Sequence, residues 1–270
     1  MCRHNVRIMK ASQGDIAVHD WSNENPRYLA LLVHGYGEHL GRYHSMATVL
    51  TEHGAKVFGP DHLGHGLSQG EPVLIDDYDA VVDDVHLVVE HFSQLYPNQR
   101  LIIIGHSMGG MIATRYSQRY GKELSALVLS GPLIGHTTQI TDLLALPEIP
   151  DSPLDTSILS RDPQVGQDYL NDPLVWHGPF KRKTLQAIKT ILHKINQGPA
   201  FGTLPTLWIH GDNDRLVVME ESEITLNLLK GNDFEVLINP GGQHENFNEI
   251  NKDEIISKVC AFIDRVLENQ

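Results

Sequence analysis

The chain has 270 residues, enough for one α/β domain carrying an inserted segment. Its 41% hydrophobic and 20% charged residues are those of a globular protein, not a disordered one. A net charge of -13 argues against a nucleic-acid partner, because affinity for phosphate backbones comes mainly from Lys and Arg.

Met1 to Lys10 lacks the apolar run of a signal peptide, and no apolar stretch approaches the length of a membrane span. Cys2 and Cys260 lie at opposite ends of the chain and make no disulfide framework. A reducing, cytoplasmic compartment is the expectation. In chain order, Asp15–Trp21 and Tyr28–Val33 read as strands separated by a Ser-Asn-Glu-Asn-Pro turn. The second strand runs into His34-Gly35-Tyr36-Gly37-Glu38-His39, a Gly-rich loop suited to leaving backbone N–H groups aimed at a ligand. Residues 43–52 read as a helix and Lys56-Val57-Phe58 as a short strand. In the following Asp61-His62-Leu63-Gly64-His65-Gly66, no cysteine or carboxylate cluster surrounds the histidines at ligand spacing. It reads as a structural turn packed beneath the later serine turn, with no metal. The high histidine count, 16, reads as mostly surface and turn residues. Residues 78–96 place Val81, Val82, Val85, Val88, Val89, Phe92 and Leu95 on one helical face before Pro97 and Asn98 stop them. Asp76, Asp77 and Asp79 near the start read as capping and solvated charge.

Leu101-Ile102-Ile103-Ile104 then runs straight into Gly105-His106-Ser107-Met108-Gly109, with a helical pattern over residues 111–120. A buried strand, a sharp Gly-flanked turn and a helix are the context of a nucleophile elbow, which lifts a serine hydroxyl clear of the sheet. A Cβ at Gly105 or Gly109 would collide with the neighbouring strand or helix. After a strand at residues 126–130 the alternation of strand and helix stops. Up to that point it implies a parallel sheet with right-handed crossovers. Residues 133–203 are rich in proline, including Pro147, Pro150, Pro153 and Pro163, and hold one clear amphipathic helix on Leu185, Ile188, Ile191, Leu192 and Ile195. They read as a lid inserted into a core of residues 1–132 and 204–270, over the sheet edge where ligands bind in open α/β folds. An apolar lid suits an apolar substrate; the alternative is a helical excursion that only adds core. A strand at 206–210, a helix at 220–229, a strand at 234–238 and a helix at 254–268 complete the chain.

A serine becomes a nucleophile when a base takes its proton, and the base needs a carboxylate to fix its tautomer. On an elbow architecture the partners follow in the order Ser, acid, His, on loops after later strands. Asp214 lies after the strand ending at His210, and His244 after the next strand. Asp212 is the rival acid, though its place in Gly-Asp suits a turn. Backbone N–H groups of Tyr36 and Met108 would hold the oxyanion. Such chemistry requires no metal or organic cofactor.

Six motifs carry a resemblance: His34-Gly35-Tyr36-Gly37-Glu38-His39, Gly41-Arg42-Tyr43, Asp61-His62-Leu63-Gly64-His65-Gly66, Gly105-His106-Ser107-Met108-Gly109-Gly110, Leu159-Ser160-Arg161-Asp162-Pro163 and Asp172-Pro173-Leu174. Over nearly its whole length the chain resembles α/β-hydrolases of the monoacylglycerol lipase family. That resemblance implies the α/β-hydrolase fold, a mostly parallel sheet flanked by helices with a helical lid insertion. It also implies a Ser107, Asp214 and His244 triad, oxyanion donors at Tyr36 and Met108, and Glu38 and Arg42 at positions that in some members hold glycerol hydroxyls. The expected reaction is cleavage of a monoacylglycerol to fatty acid and glycerol through an acyl-serine intermediate, on a small lipid ester met with transient membrane contact through the lid. Two features depart from the family pattern. Tyr36 is bulky where a small apolar residue is common, and the insertion is short between Thr137 and Pro153. The rival readings are a carboxylesterase for short or aromatic esters, a peptidase of the same fold, and a non-catalytic binding homologue. An epoxide or haloalkane hydrolase would carry Asp where this chain has Ser107.

Overall fold

The computed structural model describes residues 3–152 and 154–269; Cys2 and Pro153 lie outside the described residues. Eight strands form one sheet in the order β1-β2-β4-β3-β5-β6-β7-β8. These are β1 (His4–Lys10), β2 (Asp15–Trp21), β3 (Tyr28–Val33), β4 (Ala55–Pro60), β5 (Arg100–His106), β6 (Leu124–Ser130), β7 (Thr206–Gly211) and β8 (Phe234–Asn239). The pairs β1/β2 and β2/β4 are antiparallel, and every pair from β4 to β8 is parallel. Strand β1 was not expected from the sequence. It is an edge strand that stays largely exposed, with Ile8 at 59%, so it carries too little apolar alternation to be seen.

The central strands are apolar on both faces because both are covered. Leu29, Leu31, Ile103, Leu127 and Leu129 face a core shared with α2 (Tyr78–Leu95) and α3 (Met108–Tyr120). Ala30, Leu32, Ile102, Ile104 and Val128 face the opposite layer, built from α1 (His44–Glu52) and α8 (Lys252–Asn269). Asp77 caps α2 as expected, accepting from the Asp79 amide at 2.9 Å. Asp79 itself is more than solvated charge. It accepts from Arg115 of α3 at 2.8 Å and from Lys194 at 2.6 Å, bracketing three helices.

Among the described residues, 133–203 contribute no strand to the sheet. They form α4 (Gln139–Asp142), α5 (Pro163–Asn171) and α6 (Arg182–Gln197). The apolar face of α6 joins the main core beside α2 and α3, so this part of the segment adds core. Of the rest, Ile140, Leu159, Tyr169 and Phe180 line a cavity together with Ser107 at the carboxyl end of β5. Arg182 donates to the carbonyls of Leu144, Leu146 and Pro147, tying the first half of the segment to α6. The chain continues through α7 (Met219–Leu229). No described helix is long and apolar enough to cross a membrane. Eight of the 16 histidines are buried; His34, His39, His62, His65 and His244 lie in loops, and His19, His106 and His210 in strands. Some bond close by in the chain, as His65 does to the Leu63 carbonyl, and others far off, as His39 does to Asp172.

A Cβ on Gly109 would run into the carbonyl oxygens of Val33 and His34, because α3 lies directly against the end of β3. Gly109→Ala is expected to cost about 3 kcal/mol or more, read as a lowered urea midpoint at unchanged slope.

Candidate active site

Ser107 sits between the end of β5 and the first residue of α3, with φ 55° and ψ -122°. A non-glycine residue holds such a backbone only when its surroundings enforce it. Three amides do so by donating to the Ser107 carbonyl: Gly110 at 2.9 Å, Met111 at 3.2 Å and Leu133 at 3.0 Å. The Ser107 amide in turn donates to Ser130 on β6 at 3.0 Å. Neighbouring Gly105 has room for no Cβ against the Gly109 carbonyl.

The next two strands each deliver one partner to the same edge. His244, in the loop after β8, donates from Nδ1 to Asp214 Oδ2 at 2.8 Å. The other carboxylate oxygen accepts from the amides of Leu216 and Val217, both at 2.9 Å. Burial disfavours charge on Asp214, but the adjacent His244 and hydrogen bonds from His210 and His244 hold its carboxyl below the usual range. Burial likewise opposes a charged His244, yet the Asp214 anion outweighs it and raises the imidazole above its ordinary value. With Nδ1–H committed to Asp214, Nε2 is the atom left to take a proton. Ser107 and His244 line one cavity, although no hydrogen bond joins the two side chains among the described residues. Bonds of this kind commonly tighten only once substrate is bound. The His106 ring lies 4.6 Å from that of His244. Burial first, then the His244 charge, push His106 down to about 3, so it stays neutral beside the base. The rival acid, Asp212, accepts from the Gly241 amide at 2.6 Å and staples the two loops together.

The Gly-rich loop after β3 closes the third side. A Cβ built on Gly35 would stand 3.3 Å from the Cβ of Ser107, which shows how near the loop lies. Met108 heads α3, where a helix leaves its first amides without partners in the preceding turn. Tyr36 lines the cavity and stacks on Phe180 with centroids 4.4 Å apart. The loop is pinned from below. His34 donates from Nδ1 to the Gly35 carbonyl at 2.8 Å and accepts at Nε2 from the His62 amide at 3.0 Å. Asp61 accepts from the Leu40 amide at 2.8 Å. The Asp61-to-Gly66 turn is thus structural as expected, but it supports this loop and not the serine turn.

Glu38 is buried, and both its carboxylate oxygens have partners. One oxygen accepts from the Gly35 amide at 2.7 Å and the Tyr43 hydroxyl at 2.6 Å; the other pairs with Arg42 at 2.5 Å. Burial works against its charge, but Arg42 more than compensates and keeps its carboxyl low. Arg42 also donates to Glu245 at 2.9 Å and lies over the Tyr169 ring, 5.1 Å from its centroid. The cavity, about 230 Å³, is therefore polar around Glu38, Arg42, His106 and Glu245. Leu133, Ile140, Leu159, Leu216 and Phe180 make its remaining walls apolar.

The family described as "Serine aminopeptidase, S33" matches residues 24–251. A "Monoacylglycerol lipase" of Mycolicibacterium smegmatis is 35% identical over 248 residues, covering 88% of this chain and 89% of that one. A "Monoglyceride lipase" of Homo sapiens is 30% identical over 235 residues, covering 83% and 78%. The chain belongs to the monoacylglycerol lipase family of α/β-hydrolases. The fold likeness extends to a crystal structure of a soluble variant of monoglyceride lipase from Saccharomyces cerevisiae in complex with a substrate analog. Its TM-score is 0.84 at 21% identity, with 97% of this chain and 95% of that one covered.

Five side chains of this α/β-hydrolase site were not singled out from the sequence: Tyr43, His106, Tyr169, His210 and Glu245. The signal for Glu245 was its place beside His244. His106 stands next to Ser107, and Tyr43 and His210 bond close by in the chain, whereas Tyr169 lies against Arg42 from a distant element.

Asp214→Asn is expected to leave the fold intact and lower kcat by about four orders of magnitude. In the unaltered protein kcat/KM is expected to fall as pH drops through the raised His244 value, since a base must be neutral to accept a proton. Asp214 stays ionised over that range and adds no limb of its own. Without the anion the imidazolium loses support, so the acid limb of the variant moves to lower pH. Glu38→Gln is expected to cost about 3 kcal/mol in urea unfolding by leaving part of the Arg42 charge unpaired. It should lower kcat at little changed KM if Glu38 works by bracing Gly35, and raise KM if it contacts the leaving alcohol.

Proposed function

We propose that the protein hydrolyses monoacylglycerols to a fatty acid and glycerol. The observation that carries this reading is a serine on a strained elbow beside an Asp214–His244 pair, at the polar end of an otherwise apolar cavity. Ser107 Oγ attacks the ester carbonyl while His244 Nε2 accepts its proton. The amides of Tyr36 and Met108 hold the negative oxygen of the tetrahedral intermediate. His244 then protonates the departing glycerol oxygen, leaving the acyl group on Ser107. A water molecule, deprotonated by the same nitrogen, releases the fatty acid and restores the serine. Glu38 and Arg42 define the polar end at which glycerol hydroxyls are accommodated, Glu38 also bracing the loop that bears Tyr36.

Residues 133–203 serve as the lid in this reading, with Ile140, Tyr169 and Phe180 facing the cavity and α6 anchoring the segment to the core. Transient contact with a lipid surface is part of the same proposal. Leu170 lines the cavity and is exposed, and Leu146 is exposed in the stretch whose Pro150 and Ser152 line it.

A panel of mono-, di- and triacylglycerols, simple carboxylic esters and an aminoacyl arylamide tests the substrate class. Monoacylglycerols should give the highest kcat/KM; preference for the arylamide or for short simple esters would overturn it. Ser107→Ala should lower kcat about a millionfold and abolish labelling by a fluorophosphonate.

A further inference from the structure

Trp208 and His210 lie two residues apart on β7, so their side chains share one face of the strand. Trp208 donates from Nε1 to His210 Nδ1 at 3.1 Å. An indole nitrogen only donates, so His210 Nδ1 must present its lone pair. The ring proton is then on Nε2, which donates to the Val217 carbonyl at 2.8 Å. The same Nε2 lies 3.4 Å from Asp214 Oδ2, the oxygen that accepts from His244. Two buried imidazoles thus converge on one carboxylate oxygen, and only one of them borders the cavity.

We propose that Trp208 locks His210 as a neutral, Nε2-protonated imidazole, so that the charge of Asp214 is reserved for His244. A second proton on His210 would sit on Nδ1, facing the indole N–H. The lock therefore blocks formation of a cation beside the carboxylate. A charged His210 would share the Asp214 anion and repel a charged His244, weakening the base. Neutral His210 instead adds one more N–H toward Asp214. It also holds the Val217 carbonyl, whose residue's amide donates to Asp214 Oδ1 at 2.9 Å. Asp214, from the loop after β7, is the ionisable group facing His210; His244 faces Asp214 as well as Glu245, Glu38 from the loop after β3 and His106 at the end of β5. His210 is a positioning residue, and its role rests on the triad reading above.

The test uses the full chain with ¹⁵N-labelled histidine, the His210 signals being assigned by their loss in His210→Gln. In the unaltered protein His210 should show the Nε2–H tautomer unchanged between about pH 5 and 9, through the range where accessible histidines titrate. Trp208→Phe removes the donor and keeps a ring. His210 should then titrate, and the acid limb of kcat/KM on a chromogenic ester should move down by about one pH unit. Trp208→Phe combined with His210→Gln, which takes no charge, should bring the limb back. A proton on Nδ1 in the unaltered protein, or ordinary titration of His210, overturns the proposal. So does a limb unmoved in Trp208→Phe. Should that variant fail to fold, the spectrum of the unaltered protein decides alone. Failure of the triad reading would show separately, as a Ser107 that no fluorophosphonate labels.

Discussion

The turn at Ser107 imposes the constraint on which the rest of the molecule depends. Its positive φ points the side chain away from the sheet and forces α3 to start within one residue of the end of β5. That geometry exists only if α3 lies flush against β3 and β5, which Gly105 and Gly109 permit. The double-sided apolar core holds the helix there. Strain at one residue, of order 1–3 kcal/mol, is small against the burial that offsets it. The leucine, isoleucine and valine layers of the central strands are therefore part of the site's machinery, though none of them touches a reacting atom.

The loops at the carboxyl ends of the strands are held differently. A loop cannot be packed like a helix, since its amides must find partners. Four buried carboxylates supply them. Asp61 accepts from the amides of Leu40 and Leu67, Glu38 from Gly35, and Asp214 from Leu216 and Val217. Glu249 accepts from Gln243 and Arg161, joining the loop before His244 to the inserted segment. Each carboxylate carries its own cation or imidazole: His19 for Asp61, Arg42 for Glu38, His244 for Asp214 and Arg161 for Glu249. A buried charge is tolerable when paired in this way. The placement of these acids is thus a cost of holding irregular backbone still, and only one of them is proposed to act in the chemistry.

This division explains what could be read from the sequence. The elbow was legible because strand, glycines, serine and helix are contiguous. Asp214 and His244 were legible because the fold orders its loops along the chain. Residues whose meaning lies in a distant partner were not. Asp79 has the composition of a helix cap, yet it bridges α2 to Arg115 and Lys194. His62 and His65 look like turn residues, yet both are buried under the loop that bears Tyr36. Strand β1 has an alternating pattern too weak to stand out, because an edge strand needs little burial. For Asp79 and His62 the deciding contacts span tens of residues, and spacing carries no trace of them.

The inserted segment shows why substrate fit and loop geometry are not independent. Trp176 donates its amide to the Gly37 carbonyl at 2.7 Å, and His39 bonds Asp172 at 2.8 Å. Phe180 stacks on Tyr36, and Tyr169 lies under Arg42. Four contacts thus join one short stretch of the insertion to the loop proposed to hold the oxyanion. In the proposed reaction the apolar wall facing the acyl chain and the backbone holding the oxyanion would share the residues from Tyr36 to Arg42. A large side chain at Tyr36 therefore does two things at once. It narrows the cavity beside Ser107, and through Phe180 it ties the position of its own amide to the insertion. A change that widens the cavity at Phe180 also loosens that amide, so acyl-chain preference and turnover are expected to move together.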